Sequence, residues 1–194
     1  MVIYHYRRII YRSKTLAVSL NMKKLQLRGK YGNGKFAIVD DSDFENLSSF
    51  GWHCSKLGYV CRKVHSGGVK GKVHQTRKTR TIFLHHIVLG NPKKGMVTDH
   101  INMDTLDNRK KNLRFATHSQ NHANEPKQKN NTSGYKGVWL NKLKSKDSKK
   151  WVANILFQGK KQCLGIYFTP EEAAQAYNIK AKELFGEFAL LNNV

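Results

Sequence analysis

Met96-Val-Thr-Asp-His-Ile101, the polar run Asn102 to Lys111, and Asn112-Leu-Arg-Phe-Ala-Thr-His-Ser-Gln-Asn121 together decide the fold. The first stretch alternates as a strand does and ends in two adjacent polar groups, Asp99 and His100. The run that follows contains Asp104, Asp107 and Asn108 and reads as a loop. Apolar character resumes at Asn112 to Ala116, which predicts a second strand. Thr117-His-Ser-Gln has capping-box spacing, so a short helix starts there, with Asn121 in its first turns and Pro126 closing it. The expected unit is strand, loop, strand, helix.

On the N-terminal side, Lys35 to Val39 and Leu57 to Val64 read as strands, as does Thr79 to Leu84. Asp40-Asp-Ser-Asp supplies cap residues for a helix reaching about Phe50. The basic, Gly-rich stretch Ser66 to Lys78 is expected to be a loop that touches phosphates. Residues 1–22 are expected to lie outside the folded unit, with Met22 as an alternative start.

On the C-terminal side, residues 126–133 read as a polar linker. Trp151, Ala153, Ile155 and Phe157 alternate toward a core, so the even positions of that strand face outward. Gln158-Gly159 is a turn, Lys161 to Phe168 returns as a strand, and Tyr135 to Leu140 precedes both. Thr169-Pro-Glu-Glu carries three helix-start signals: an N-cap, Pro at the first helical position and a capping box. Ala173, Tyr177, Ala181 and Leu184 form an apolar stripe at helical spacing, and Gly186 is a natural stop. The expected fold is α+β. It comprises a small N-terminal α/β region (23–80), the strand-loop-strand-helix unit (81–125), and a C-terminal three-stranded antiparallel sheet packed on one helix (134–194).

Charge names the partner class. The chain has 35 Lys and Arg against 13 Asp and Glu in 194 residues, a net of +22. So much like charge is a self-repulsion cost, and a polyanion is its usual counterpart. The excess is uneven: 17 basic and 4 acidic residues over 1–80, 6 and 4 over 81–125, and 12 and 5 over 126–194. A near-neutral centre between basic flanks suits a cation site gripped by phosphate-binding arms. No apolar run approaches a bilayer span, and no basic amphipathic helix with a wide apolar face is visible. Three cysteines, Cys54, Cys61 and Cys163, give no disulfide framework. His53, Cys54, Cys61 and His65 match no common zinc-finger spacing, so free thiols in a reducing compartment are expected. A cytoplasmic protein without a membrane partner is expected.

The central unit holds the parts of a phosphodiester-hydrolysing site. Asp99 offers a hard oxygen ligand and Asn121 another, which suits Mg²⁺ or Mn²⁺ better than zinc. His100 is a candidate base at neutral pH. Neighbours on a strand point to opposite faces, however, so Asp99 and His100 converge only if the strand twists or bulges there. Asn112 is placed to brace the loop.

Asp99-His100, Asn112-Leu-Arg and Thr117-His-Ser-Gln-Asn121 resemble, in order, the HNH motif of phage and group I intron homing endonucleases. Leu84-His-His-Ile-Val, Gly95 to Asp99 and Asp107 to Arg114 extend the likeness. The resemblance implies a ββα-metal fold with one divalent cation between two strands and a helix. By it, His100 is the general base, Asp99 and Asn121 are ligands, and Asn112 shapes the loop, in an H-N-N variant. His118 or His122 stands as an alternative ligand. His85 has either a supporting or a buried structural role.

Gly134-Tyr-Lys-Gly-Val, Trp151-Val-Ala-Asn-Ile, Leu164-Gly-Ile-Tyr, Glu171 to Tyr177 and Leu184-Phe-Gly-Glu resemble the APETALA-two/ethylene-responsive-factor DNA-binding domain. That resemblance implies a sheet lying in the major groove, with contacts from Lys136, Trp139, Asn141, Lys150, Asn154 and Lys161. Lys136, Trp139, Asn141, Leu156 and Lys161 stand where that family has arginines, which read guanine bidentately, so a phosphate-dominated, salt-steep affinity is expected.

The whole reads as a site-preferring endonuclease of homing type, a monomer acting on double-stranded DNA without an obligate protein partner. A non-catalytic DNA-binding regulator and an RNA-processing protein are the rivals. Metal-dependent plasmid nicking and competition of duplex DNA against RNA separate them.

Overall fold

A computed structural model describes residues 22–66, 78–141 and 150–194. The expectations for residues 1–21 and for most of the Gly-rich loop therefore lie outside the described residues.

The N-terminal region is a five-stranded sheet in the order β2-β1-β3-β4-β5. Its strands are β1 (Met22–Arg28), β2 (Phe36–Asp40), β3 (Trp52–Cys54), β4 (Val60–Ser66) and β5 (Lys78–Phe83). Helix α1 (Asp41–Ser48) follows β2, as the acidic run predicts. β4 starts three residues later than Leu57 because Ser55 to Tyr59 closes a turn, with Ser55 N–H donating to Tyr59 O at 2.8 Å. Leu25, Leu27, Val39, Leu47, Trp52, Val60 and Leu84 fill the core beneath this sheet. The Trp52 indole N–H donates to Leu47 O at 2.8 Å, so the buried ring leaves no orphan donor. Sequence reading missed β1 and β3: β1 has only two buried leucines, Leu25 and Leu27, among lysine, glutamine and arginine, and β3 has only three residues. Cys54, Cys61 and Cys163 are free thiols. Among the described residues no group of three or more His, Cys, Asp or Glu side chains could hold a metal.

Helix α2 (Leu84–Leu89) leads to β6 (Met96–His100). β6 pairs antiparallel with β7 (Leu113–Thr117), in register Asp99 with Arg114 and His100 with Leu113. Between them runs the long loop, ending in a 3-10 turn, Lys110–Asn112. Thr117 caps α3 (His118–Asn124) with a reciprocal capping box through Gln120.

The C-terminal unit is the predicted sheet of β8 (Val138–Asn141), β9 (Lys150–Phe157) and β10 (Lys160–Tyr167), packed on α4 (Pro170–Phe185). Thr169, Pro170 and Glu172 start α4 as the sequence predicts. Gly137 has φ of 76°, and a Cβ there would overlap the Tyr177 ring. Only glycine admits this approach of β8 to α4.

The alternation of β9 holds for one face only. Val152 and Asn154, predicted to face outward, are both buried at 8% exposure. Trp139 and Ile166 flank Val152 across the sheet. Asn154 lines a cleft of about 530 Å³ that residues 126–128 and 130–132 share with Trp139 and Lys161. The segment read as a linker is thus folded against the sheet: Lys127 donates to Gly134 O, and Ser133 Oγ to Val138 O at 2.8 Å. Ala123 of α3 joins Ile155, Tyr177, Ala181 and Phe185 in one apolar cluster. α3 therefore packs on the central and C-terminal units at once. No helix among the described residues is long and apolar enough to cross a membrane.

Candidate functional site

The loop between β6 and β7 is held from both ends and from below. Asn112 accepts from Asn102 N–H at 3.0 Å through its Oδ1, and its Nδ2 donates to Asn102 Oδ1 at 2.9 Å and Asp107 O at 2.7 Å. One amide thus ties the loop's start to its end. Asp107, only 2% exposed, accepts two hydrogen bonds from the Arg109 guanidinium and one from Asn102 Nδ2. Burial alone would raise this carboxyl, but Arg109, by hydrogen bonds and charge, and Asn102 together hold it below the ordinary carboxylate value. Ile38 on the edge strand β2 accepts from Asn108 N–H and donates to Leu106 O, both at 2.8 Å, so the loop extends the N-terminal sheet. Asp40 does not cap α1 with its side chain; it accepts from Lys110 N–H at 2.8 Å instead.

Asp99 is buried at 4% exposure and both of its oxygens are engaged. Arg114 Nε donates to Oδ2 at 2.8 Å and Asn124 Nδ2 to Oδ1 at 2.9 Å. The Asn124 amide also reaches His100 O at 3.0 Å and Ile101 O at 3.3 Å, pinning α3 to the end of β6. A carboxylate oxygen has two lone pairs, so each retains one for a further partner. Asn121 lies one turn before Asn124 on the same helix, and side chains three apart are surface neighbours. Among the described residues its amide makes no hydrogen bond.

His100 faces other partners, as strand alternation requires. Its ring lies 5.4 Å from that of His85 and 6.1 Å from that of Tyr59, centroid to centroid. It is 5% exposed, and its Nε2 is buried with no hydrogen-bond partner among the described residues. Burial lowers its pKa, while Asn108 and the carboxylates of Asp99, Asp104 and Asp107 pull the other way. The Asn108 amide oxygen meets no strict hydrogen-bond geometry, so it acts on the ring as a nearby dipole. The ring is neutral at pH 7 and holds a lone pair. His85 is more strongly affected: burial, then His86 and His100, push it down to about 3. It stacks on Phe83 and meets Tyr59 edge-on, so it walls the His100 pocket as a neutral ring.

The other predicted residues divide. His118 and His122 are on the exposed side of α3, and His122 Nδ1 lies 2.7 Å from Glu125. Lys136, predicted on the outer sheet face, turns away from it. Its ammonium donates to His122 O at 3.1 Å, Ala123 O at 2.7 Å and Glu125 O at 2.6 Å, capping the C-terminus of α3. Burial pushes its pKa down to about 8. Trp139 and Lys161 do share the outer face: Lys161 Nζ is 4.1 Å from the indole, and Asn154 Oδ1 accepts from it at 3.2 Å. Asn141 pairs with Lys150 across the β8–β9 edge, and Lys150 Nζ is 5.8 Å from the Phe168 ring. The exposed Leu156, Ile166 and Phe168 make that face less basic than the lysine spacing implied.

Sequence reasoning missed Arg114, Asn124 and the Asp107–Arg109 pair. Asn124 was detectable, since it is a polar residue on the buried side of a helix beside Ala123. Arg114 was not, because its role depends on residues far along the chain.

Residues 80–123 match the HNH endonuclease family. The chain is 33% identical over 163 residues to "Uncharacterized HNH endonuclease L560" of Acanthamoeba polyphaga mimivirus, covering 84% of this chain and 78% of that one. It is 34% identical over 97 residues to Protein 3.8 of Escherichia phage T7, covering 50% of this chain and 75% of that one. No solved structure matches. With all but the last residue of the strand-loop-strand-helix unit inside the matched residues and the likeness running through most of both chains, this protein belongs to the HNH endonuclease family.

Proposed function

We propose that the protein is a metal-dependent, site-preferring endonuclease of homing type that hydrolyses phosphodiester bonds in double-stranded DNA. The observation that carries this reading is the buried, unpartnered His100 Nε2 next in sequence to the doubly oriented Asp99 carboxylate. HNH nucleases generally use a divalent metal. The donor set fits one: a carboxylate with lone pairs to spare and the Asn121 amide carbonyl, both hard oxygens suited to Mg²⁺ or Mn²⁺. When bound, such a cation stabilises negative charge on the phosphate and the leaving oxygen.

The chain's own residues do the rest. His100 takes a proton from water through Nε2; burial lowers its pKa, and the rings of His85 and Tyr59 lie beside it. Arg114 and Asn124 fix the carboxylate of Asp99. Asn112 and Asp107 hold the loop so that these groups keep their places. Trp139, Asn141, Lys150 and Lys161, on the outer face of the C-terminal sheet, position the duplex. The resemblance to the ethylene-responsive-factor domain supports that role, as does the basic composition. A plasmid-nicking assay with Mg²⁺ or Mn²⁺ tests the reading. Wild type is expected to nick only with metal, and His100→Ala to lose at least about a hundredfold in rate. Equal rates for the two would sink it.

A further inference from the structure

Arg114 has two sets of partners. On one side its Nε donates to Asp99 Oδ2 at 2.8 Å. On the other its Nη1 donates to Glu187 O at 3.0 Å, and its guanidinium carbon lies 3.9 Å from the centre of the Phe188 ring. Glu187 and Phe188 belong to the 3-10 turn Gly186–Phe188 that directly follows α4. Just beyond it, Leu190 N–H donates to Ala123 O of α3 at 3.0 Å. The turn after the last helix of the C-terminal unit and the segment just beyond it therefore each touch the nuclease unit. One contact is to the helix that carries Asn121 and Asn124, the other to the arginine that orients Asp99.

We propose that Phe188 is a positioning residue of the nuclease centre: it holds the Arg114 guanidinium in the plane from which that group orients Asp99 as a metal ligand. The inference rests on the ligand role given to Asp99 above. An arginine has several rotatable bonds, and a carboxylate partner alone would let it swing. The ring face and the Glu187 carbonyl remove that freedom, since a cation over an aromatic face and a planar fork are both directional. Partners that orient a ligand from outside the coordination sphere commonly change metal affinity about 10- to 100-fold when removed. The C-terminal unit is then part of the catalytic centre as well as a grip on DNA.

The test uses charge-conserving variants of the full chain, because deleting Arg114's charge would itself alter cation attraction. Phe188→Leu keeps apolar volume but removes the ring face, Phe188→Tyr keeps the face, and Arg114→Lys keeps the charge but not the fork. Mn²⁺ binding is followed by calorimetry without DNA, and nicking is followed at varied Mn²⁺. Phe188→Leu and Arg114→Lys are each expected to weaken Mn²⁺ binding about tenfold and to raise the half-saturating Mn²⁺ for nicking. Phe188→Tyr is expected to restore binding, and the double variant to be no worse than Arg114→Lys alone. Asp99→Asn separates the two levels. If it loses Mn²⁺ binding while Phe188→Leu binds as wild type, the positioning role is overturned and the ligand role stands. If Asp99→Asn itself binds Mn²⁺ as wild type, the ligand role falls and this inference falls with it.

Discussion

Replacing Lys136 with methionine discriminates between two roles that a surface lysine can have. In the structure its ammonium serves three carbonyls at the end of α3, where the helix dipole also favours a cation. Each charge-assisted bond is worth about 1.5–3 kcal/mol at best. Burial of the ammonium opposes them, as the fall of its pKa to about 8 shows, so the net lies nearer one bond than three. Lys136→Met should therefore cost about 2–3 kcal/mol, or roughly 4–12 °C in melting temperature for a chain of this size. A phosphate contact would behave otherwise. Its loss would leave the melting temperature alone and flatten the plot of log affinity against log salt by about 0.9. Circular-dichroism melting and fluorescence anisotropy on a duplex across a salt series read both quantities. The expected result is a lowered melting temperature with an unchanged salt slope. An unchanged melting temperature with a slope reduced by about one would refute the capping role and make Lys136 a phosphate contact on the outer sheet face.

Other consequences are equally direct. Gly137→Ala should destabilise the C-terminal unit by more than about 2 kcal/mol in urea unfolding, since it combines positive φ with a clash against Tyr177. Asn124→Asp should be worse than Asn124→Ala in thermal melts at pH 7, because it sets a second carboxylate against Asp99 and two carbonyls; the reverse order would contradict the geometry. Asp107 has a lowered folded pKa, so its contribution is complete above the ordinary value near 3.8 and is lost as pH falls below that through its folded value. Asp107→Asn should accordingly be less stable than wild type at pH 7, with the gap shrinking in strong acid.

Local signals made much of this fold legible. The capping boxes of α3 and α4, the Gln158-Gly159 turn and the alternation of β6 are written in residues within a few positions of each other, and these elements stand where the pattern put them. The outer face of β9 was misread because burial there comes from residues 126–132 and from neighbouring strands, which no period-two count can register. Lys136 failed for the same reason: its spacing fits a sheet face, yet three carbonyls of a helix ten or more residues away hold it more tightly. Strand alternation separates Asp99 from His100, and their partners do divide between α3 and the His85–Tyr59 wall. What sequence could not supply was the second set of contacts around each group.

The pairing of Ile38 with the loop at Leu106 to Asn108 carries a consequence for synthesis on the ribosome. The outer edge of β2 emerges almost seventy residues before the segment that covers it, and loop closure over such a span is slow. Through that interval the nascent chain displays a bare strand edge open to stray pairing. The same delay means that no finished nuclease loop exists until the chain has grown past Lys110, so an abortive N-terminal product would carry the sheet without the strand-loop-strand-helix unit.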